Sequence, residues 1–367
     1  MSGVLEPNKS INRCWRDSGD MIPTATFMEG DCLEQLKKIP DESVESCVTD
    51  PPYNLAFMSD KGVSWDAVGS PQGFQKWCAE WAKEVFRVLK PGGYLLSFGG
   101  ARTFHRLTAG IEDAGFDIRD CFSWIYGTGF PSGNRDMGKA LGSSFQGYGT
   151  RLKPAWEPAI MARKPFKGSL TAHVKTTGLG ALNIDDNRIP IDEADVIDEG
   201  NYKGSTFSNR NPKATGRAYL LKKNSRSDEE NDKISAQAQL DSIRRMNEMG
   251  RWPANVIFDE EAAKIMDQQS VGAARFFYQP KASKKERTVN GQVKNVHPTV
   301  KPVELMKHLI SLVCPTETAL GYVPTVLDPF AGSGSTALAA KDLGINSIMI
   351  EIDPTSMKIA KERFFAW

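Results

Sequence analysis

Along this chain the spacing of apolar residues switches repeatedly between short continuous runs and a helical period. Val44 to Thr49 is a short apolar stretch that ends in Asp50-Pro51-Pro52. No helix continues through two prolines, so the stretch reads as a strand. Phe74, Trp77, Cys78, Trp81, Val85, Val88 and Leu89 recur at helical spacing, which predicts an amphipathic helix stopped by Pro91-Gly92-Gly93. Tyr94 to Phe98 follows as a buried strand. Phe104, Leu107, Ile111 and Ala114 mark a second helix closed by Gly115. Ile118, Phe122, Trp124 and Tyr126 then alternate as in a strand.

The same alternation returns at the other end. Leu305 to Val313 reads as a helix, and Val326-Leu327 as a strand running into Asp328-Pro329-Phe330-Ala331-Gly332-Ser333-Gly334. A helix over Ser335 to Leu343 closes at Gly344, and a strand follows over Ser347 to Ile352. Asp353-Pro354 supplies an N-cap and first-turn proline for a last helix through Met357, Ala360 and Phe364. Strands alternating with helices predict an α/β fold with a mostly parallel, doubly wound sheet. Residues 127–295 break the pattern: they are rich in Gly, Asn, Ser and Lys and hold only short apolar runs.

Composition narrows the class. With 40% hydrophobic and 25% charged residues in 367, the chain can build a sizeable core. A net charge of +1 does not exclude a nucleic-acid partner, because local clusters decide binding. One such cluster lies between Gly200 and Ser227: Lys203, Arg210, Lys213, Arg217, Lys222, Lys223 and Arg226, with no acidic residue among them. It is read either as a solvated loop or as a contact to phosphates. The six cysteines form no CxxC pair, so we expect neither zinc nor a disulfide framework. With no apolar leader and no run long enough to span a bilayer, a cytoplasmic protein is expected.

Two motifs carry chemistry. Thr49-Asp50-Pro51-Pro52-Tyr53-Asn54 stands at a strand end. An exocyclic amine of a nucleobase is a poor nucleophile, since its lone pair is delocalised into the ring. A carboxylate and a carbonyl that accept its two N–H bonds favour pyramidal geometry and stabilise the positive charge that develops on attack. Asp50 and the Pro51 carbonyl supply these acceptors, Pro52 helps to fix the carbonyls outward, and Tyr53 offers a ring for an extruded base. Phe330-Ala331-Gly332-Ser333-Gly334 lies between a strand and a helix, where glycines permit a tight turn and close backbone approach to a ligand. Glu351 ends the next strand about 20 residues on, where an acidic side chain can bond ribose hydroxyls.

Together these residues resemble the amino DNA methyltransferases, the family that acts on adenine N6 or cytosine N4. The likeness covers most of residues 27–129 and 250–365. Catalytic motif first and cofactor motif last is similar to the beta group. Lys153-Pro154-Ala155-Trp156-Glu157-Pro158 and Arg251-Trp252-Pro253-Ala254-Asn255 resemble segments of phage and prophage members. The resemblance implies a Rossmann-like methyltransferase fold that uses S-adenosyl-L-methionine. It implies catalysis by Asp50, Pro51, Pro52 and Tyr53, and a cofactor site of Asp31, Thr299, Lys301, Asp328, Phe330, Ala331, Gly332, Gly334 and Glu351. Thr299 and Lys301, within His297-Pro298-Thr299-Val300-Lys301-Pro302, would lie near the methionine end, and Asp31 near the adenine.

The expected organisation is an arm over 1–26, a catalytic half over 27–129, a target-recognition insert over 130–290 and a cofactor half over 291–367. Lys203, Arg210, Lys213, Arg217, Lys222 and Lys223 are the expected DNA contacts. In the family an Asp at position 50 leans toward adenine, so we expect a site-specific adenine-N6 methyltransferase acting on double-stranded DNA. Cytosine N4 is the alternative, and an RNA or protein-amide substrate a further one. No metal is expected, and a homodimer is permitted.

Overall fold

The computed structural model describes residues 23–56, 66–127, 129, 137–150, 152–191, 196, 228–280, 286–295, 297 and 299–367. They form two compact units, one made of the described residues up to 186 and from 254 on, the other of those between 187 and 253.

The larger unit is built on an eight-stranded sheet. Its strands are β1 (Ala25–Glu29), β2 (Val44–Thr49), β3 (Leu89–Phe98), β4 (Asp117–Ile125), β5 (Trp156–Arg163), β6 (Val256–Phe258), β7 (Thr325–Asp328) and β8 (Asn346–Glu351). Their order is β1-β8-β7-β2-β3-β5-β4-β6. Every pairing is parallel except those of β5, which runs antiparallel between β3 and β4. All six residues of β2 are buried, as expected of a central strand covered on both faces.

Adjacent strand residues go to opposite sides. Val48, Leu96, Met161, Val326 and Met349 join one apolar cluster with the Val303–Val313 and Ser335–Asp342 helices. Their chain neighbours Cys47, Leu95, Ile160, Leu327 and Ile350 join another with the Pro71–Val88 and Phe104–Asp113 helices. The sheet is thus sandwiched between helical layers, the doubly wound α/β arrangement the alternation predicts.

The elements form where the patterns lie, with instructive differences. The Pro71–Val88 helix starts on Ser70, whose hydroxyl accepts the Gly73 N–H, and it buries Phe74, Cys78, Trp81, Val85 and Val88. Pro91-Gly92-Gly93 does not separate helix from strand: the helix stops at Val88, and β3 already contains the three residues. The register against β2 jumps from Val44–Leu89 to Ser46–Tyr94. This bulge tolerates a proline without a donor N–H. Gly93 is required there, since a Cβ would come 2.7 Å from the Glu45 carbonyl oxygen.

Two stretches between residues 130 and 290 are strands of the same sheet, β5 and β6. The smaller unit contains the Asp228–Met249 helix and a two-way backbone bridge between Ile189 and Arg251. There the Arg188 guanidinium lies 5.3 Å from the ring centre of an exposed Trp252. Among the described residues no helix is long and apolar enough to cross a membrane.

Candidate active site

β2, β7 and β8 run parallel, so the loops after them emerge at one edge of the sheet. Ligands of open α/β sheets bind at such carboxyl ends. β2 delivers Asp50-Pro51-Pro52-Tyr53, with Pro51 buried and the other three half-buried. β7 delivers the glycine loop over 330–334, and β8 ends in Glu351.

Asp328 ties the first two loops together. Its buried carboxylate accepts from the Thr49 hydroxyl at 2.7 Å, the Thr336 hydroxyl at 2.5 Å and the Phe330 N–H at 3.0 Å. Burial pushes its carboxyl up to about 6 although the three donors favour the charged form. Asp328 belongs to the expected cofactor set, and its side chain is occupied in joining the motifs.

The Tyr53 turn is fixed from two sides. Asp66 accepts the N–H groups of Tyr53 and Leu55 at 2.6 and 3.1 Å, and the Thr103 hydroxyl donates to the Tyr53 carbonyl at 2.7 Å. The Tyr53 side chain therefore sits against Asp50, to whose Oδ1 its hydroxyl donates at 2.6 Å. Lys301 Nζ donates to Asp50 Oδ2 at 2.6 Å and meets Glu157 Oε2 at 3.1 Å. The Tyr53 hydroxyl lies 3.2 Å from the same Glu157 oxygen. Burial opposes the Lys301 charge, but Asp50 and Glu157 outweigh it and hold the ammonium above its usual range. Burial, then the negative Asp50 and Glu157, push the Tyr53 phenol well up, so it keeps its proton. The rings of Tyr53 and Phe98 stand 5.5 and 4.8 Å from the ammonium.

Thus Lys301, expected near the methionine end of the cofactor, bonds the Asp50 carboxylate. Thr299 is exposed, and its carbonyl lies 2.5 Å from His297 Nδ1. Glu157 was not among the expected site residues. The only signal for it was the Trp156-Glu157-Pro158 segment, in which no spacing rule marks the carboxylate.

The glycine loop is built from backbone. Ala331 N–H bonds the Ile350 carbonyl at 2.8 Å, and Gly332 N–H bonds Glu351 Oε2 at 2.7 Å. The second Glu351 oxygen takes the Asp353 N–H at 2.8 Å. Gly332 and Gly334 have φ of +51° and +83°, where other residues are strained. Gly334 faces the last helix rather than open space, because a Cβ there would lie 2.9 Å from Ala360 Cβ. Phe330 turns inward against Trp77 and Trp81, with ring centres 5.6 and 5.5 Å away.

Behind the loop the fully buried Arg363 donates to the Ser333 carbonyl at 2.6 Å and meets the Glu286 carbonyl at 3.3 Å. Burial lowers its guanidinium to about 10. Sequence reasoning passed over Arg363, although an arginine on the Ile359, Ala360 and Phe364 face of a helix is itself a signal of a buried partner. Asp31 is exposed and caps the Cys32–Leu36 helix through the Leu33 and Glu34 N–H groups. Lys203, Arg210, Lys213, Arg217, Lys222 and Lys223 lie outside the described residues.

The sequence model of a family described as DNA methylase, the N6/N4 methyltransferases, matches residues 44–362. The chain belongs to the N6/N4 DNA methylase family. It is a DNA methyltransferase that uses S-adenosyl-L-methionine. Type II methyltransferase M.HindIII of Haemophilus influenzae is 22% identical over 91% of this methylase and 93% of its own length. Type II methyltransferase M.BamHI of Bacillus amyloliquefaciens is 45% identical over 19% of this chain and 16% of its own. Among solved structures, the cytosine-N4-specific PvuII DNA methyltransferase aligns with a TM-score of 0.50 at 16% identity, covering 93% of this chain and 88% of that one. That likeness concerns the fold.

The residues fit the methyl donor. The missing Cβ of Gly332 leaves the loop backbone bare toward the His297 ring, which lies 3.2 Å from the position a Cβ would take. Beside the half-buried Glu351, the apolar Ile352 is 58% exposed, a surface suited to a purine ring.

Proposed function

We propose that this methylase transfers a methyl group to the N6 amine of an adenine turned out of double-stranded DNA. The observation that carries the reading is the Asp50–Tyr53 pair at the end of β2, joined through Thr49 and Asp328 to the glycine loop. Acceptor and donor loops are thereby held one strand apart.

In this reading Glu351 holds the ribose of S-adenosylmethionine, Asp31 and Ile352 flank its adenine, and residues 330–334, with His297 and Thr299, border its methionine. The bound sulfonium supplies an electrophilic methyl group. Asp50 and the Pro51 carbonyl take the two N–H bonds of the target amine, and Tyr53 lies against the base. As the N–C bond forms and the methyl–sulfur bond breaks, its electron pair staying on sulfur, the amine nitrogen becomes positive, and the fixed carboxylate stabilises that charge without reorganising. The extra amine proton then leaves through Asp50 to water. Residues 187–253 and the basic run Lys203, Arg210, Lys213, Arg217, Lys222 and Lys223 are proposed to track the DNA backbone, positioning the enzyme without specifying sequence.

The test is expression in a host that lacks DNA methylation, followed by modification-sensitive sequencing of its genome. N6-methyladenine at one recurring motif is expected. N4-methylcytosine instead would move the reading to cytosine, and unmodified DNA from cells that contain the folded protein would overturn it.

A further inference from the structure

Around Asp50 two carboxylates compete for one ammonium. Asp50 has both oxygens engaged, one by Tyr53 and one by Lys301 at 2.6 Å each. Glu157 reaches the same Lys301 and the same Tyr53 hydroxyl at 3.1 and 3.2 Å. The Lys301 side chain is only 11% exposed, so its charge depends on protein partners, and an unpaired buried ammonium is costly. Glu157 comes from β5, opposite Trp124 of β4, a part of the sheet independent of both motif loops.

We propose that Glu157 is a positioning residue of the base pocket, one that holds Lys301 when the target amine takes Asp50 and keeps the pocket at one net negative charge. The inference rests on the Asp50 reading above. Two carboxylates and one ammonium leave a single negative charge for the cationic nitrogen of the transition state. Without Glu157, Lys301 has Asp50 as its carboxylate partner here, neutralises it and weakens it as an acceptor. Tyr53 loses its second contact as well, so its hydroxyl presses on Asp50 alone.

Charge counting yields a test with unusual signs. Glu157→Gln keeps the shape and brings the pocket to neutrality. Its kcat should fall on the order of 10- to 100-fold, short of the ~100- to 1000-fold expected for a group touching the reacting atoms. The KM for DNA and the affinity for S-adenosylmethionine, measured by titration calorimetry, should stay within about threefold, a change below 1 kcal/mol. Adding Lys301→Gln to Glu157→Gln restores one negative charge, so the double variant should turn over faster than Glu157→Gln alone. Glu157→Asp should recover part of kcat. A merely structural glutamate predicts the reverse, with the double variant slower than either single one. Wild-type kcat in Glu157→Gln, or a double variant slower than it, overturns the proposal. Asp50→Ala assayed alongside separates the two readings: if it is active the Asp50 mechanism itself fails, and if it is inactive while Glu157→Gln is normal only the role of Glu157 fails.

Discussion

The loop after β2 and the loop after β7 sit side by side and are stabilised by opposite means. Around Asp50 the contacts join side chains: a phenol, an ammonium and two carboxylates that share donors. Around Gly332 they are contacts of the backbone, with Ala331 and Gly332 N–H groups on β8 and Arg363 on the Ser333 carbonyl. Side chains can exchange partners through rotamer changes, whereas a backbone turn with fixed φ cannot. The first loop is suited to handing an acceptor from one donor to another, as a reacting amine requires. The second is suited to presenting an unchanging cradle to a cofactor that arrives and leaves in each cycle. Asp328 is bonded to both sides, through Thr49 and through Thr336.

The largest effect expected on this contrast is from Asp50→Ala. Its kcat should fall ~100- to 1000-fold with S-adenosylmethionine affinity unchanged. A parallel loss of cofactor binding in calorimetry would show that the two loops are not separable. Asp328→Asn probes the link. The Asp328 carboxyl is raised to about 6 in the folded protein, so the folded state takes up its proton more readily than the unfolded state. Its contribution to stability is fully present below pH ~4, is lost as pH rises through about 6, and at neutral pH amounts to a penalty of at most ~3 kcal/mol. Urea denaturation of wild type and variant should differ by an amount that changes over this window. A difference independent of pH would contradict the assignment. Glu351→Ala is the mildest of the three. It removes the acceptor for the Gly332 and Asp353 N–H groups and should weaken S-adenosylmethionine about tenfold, or ~1.4 kcal/mol, with kcat at saturation nearly kept. That is the mirror image of Asp50→Ala, and a loss confined to kcat would reverse the roles given to the two loops.

Gly334 shows that a motif glycine can also be needed for packing. Sequence reasoning gave it close approach to a ligand, yet its missing Cβ makes room for Ala360 of the last helix. Gly334→Val would therefore disturb packing before it touched a cofactor. Phe330 is similar, since its ring is taken up by Trp77 and Trp81. Lys301, expected near the methionine end of the cofactor, is in addition a partner of Asp50.

By itself the sequence determined the α/β class, the order of most strands and helices, and the two motif loops at strand ends. Each of these depends on residues close together in the chain: apolar periodicity, proline and glycine stops, and an aspartate cap such as Asp353. Only the tertiary structure decided that β5, an apolar run between Trp156 and Arg163, reverses direction to fill the space between β3 and β4. That reversal carries Glu157 to the ammonium of Lys301, 144 positions later in the chain, which also pairs with Asp50, 107 positions before Glu157. Electrostatic interaction depends on distance in space, and a local pattern of residues contains no information about which distant strands will be neighbours.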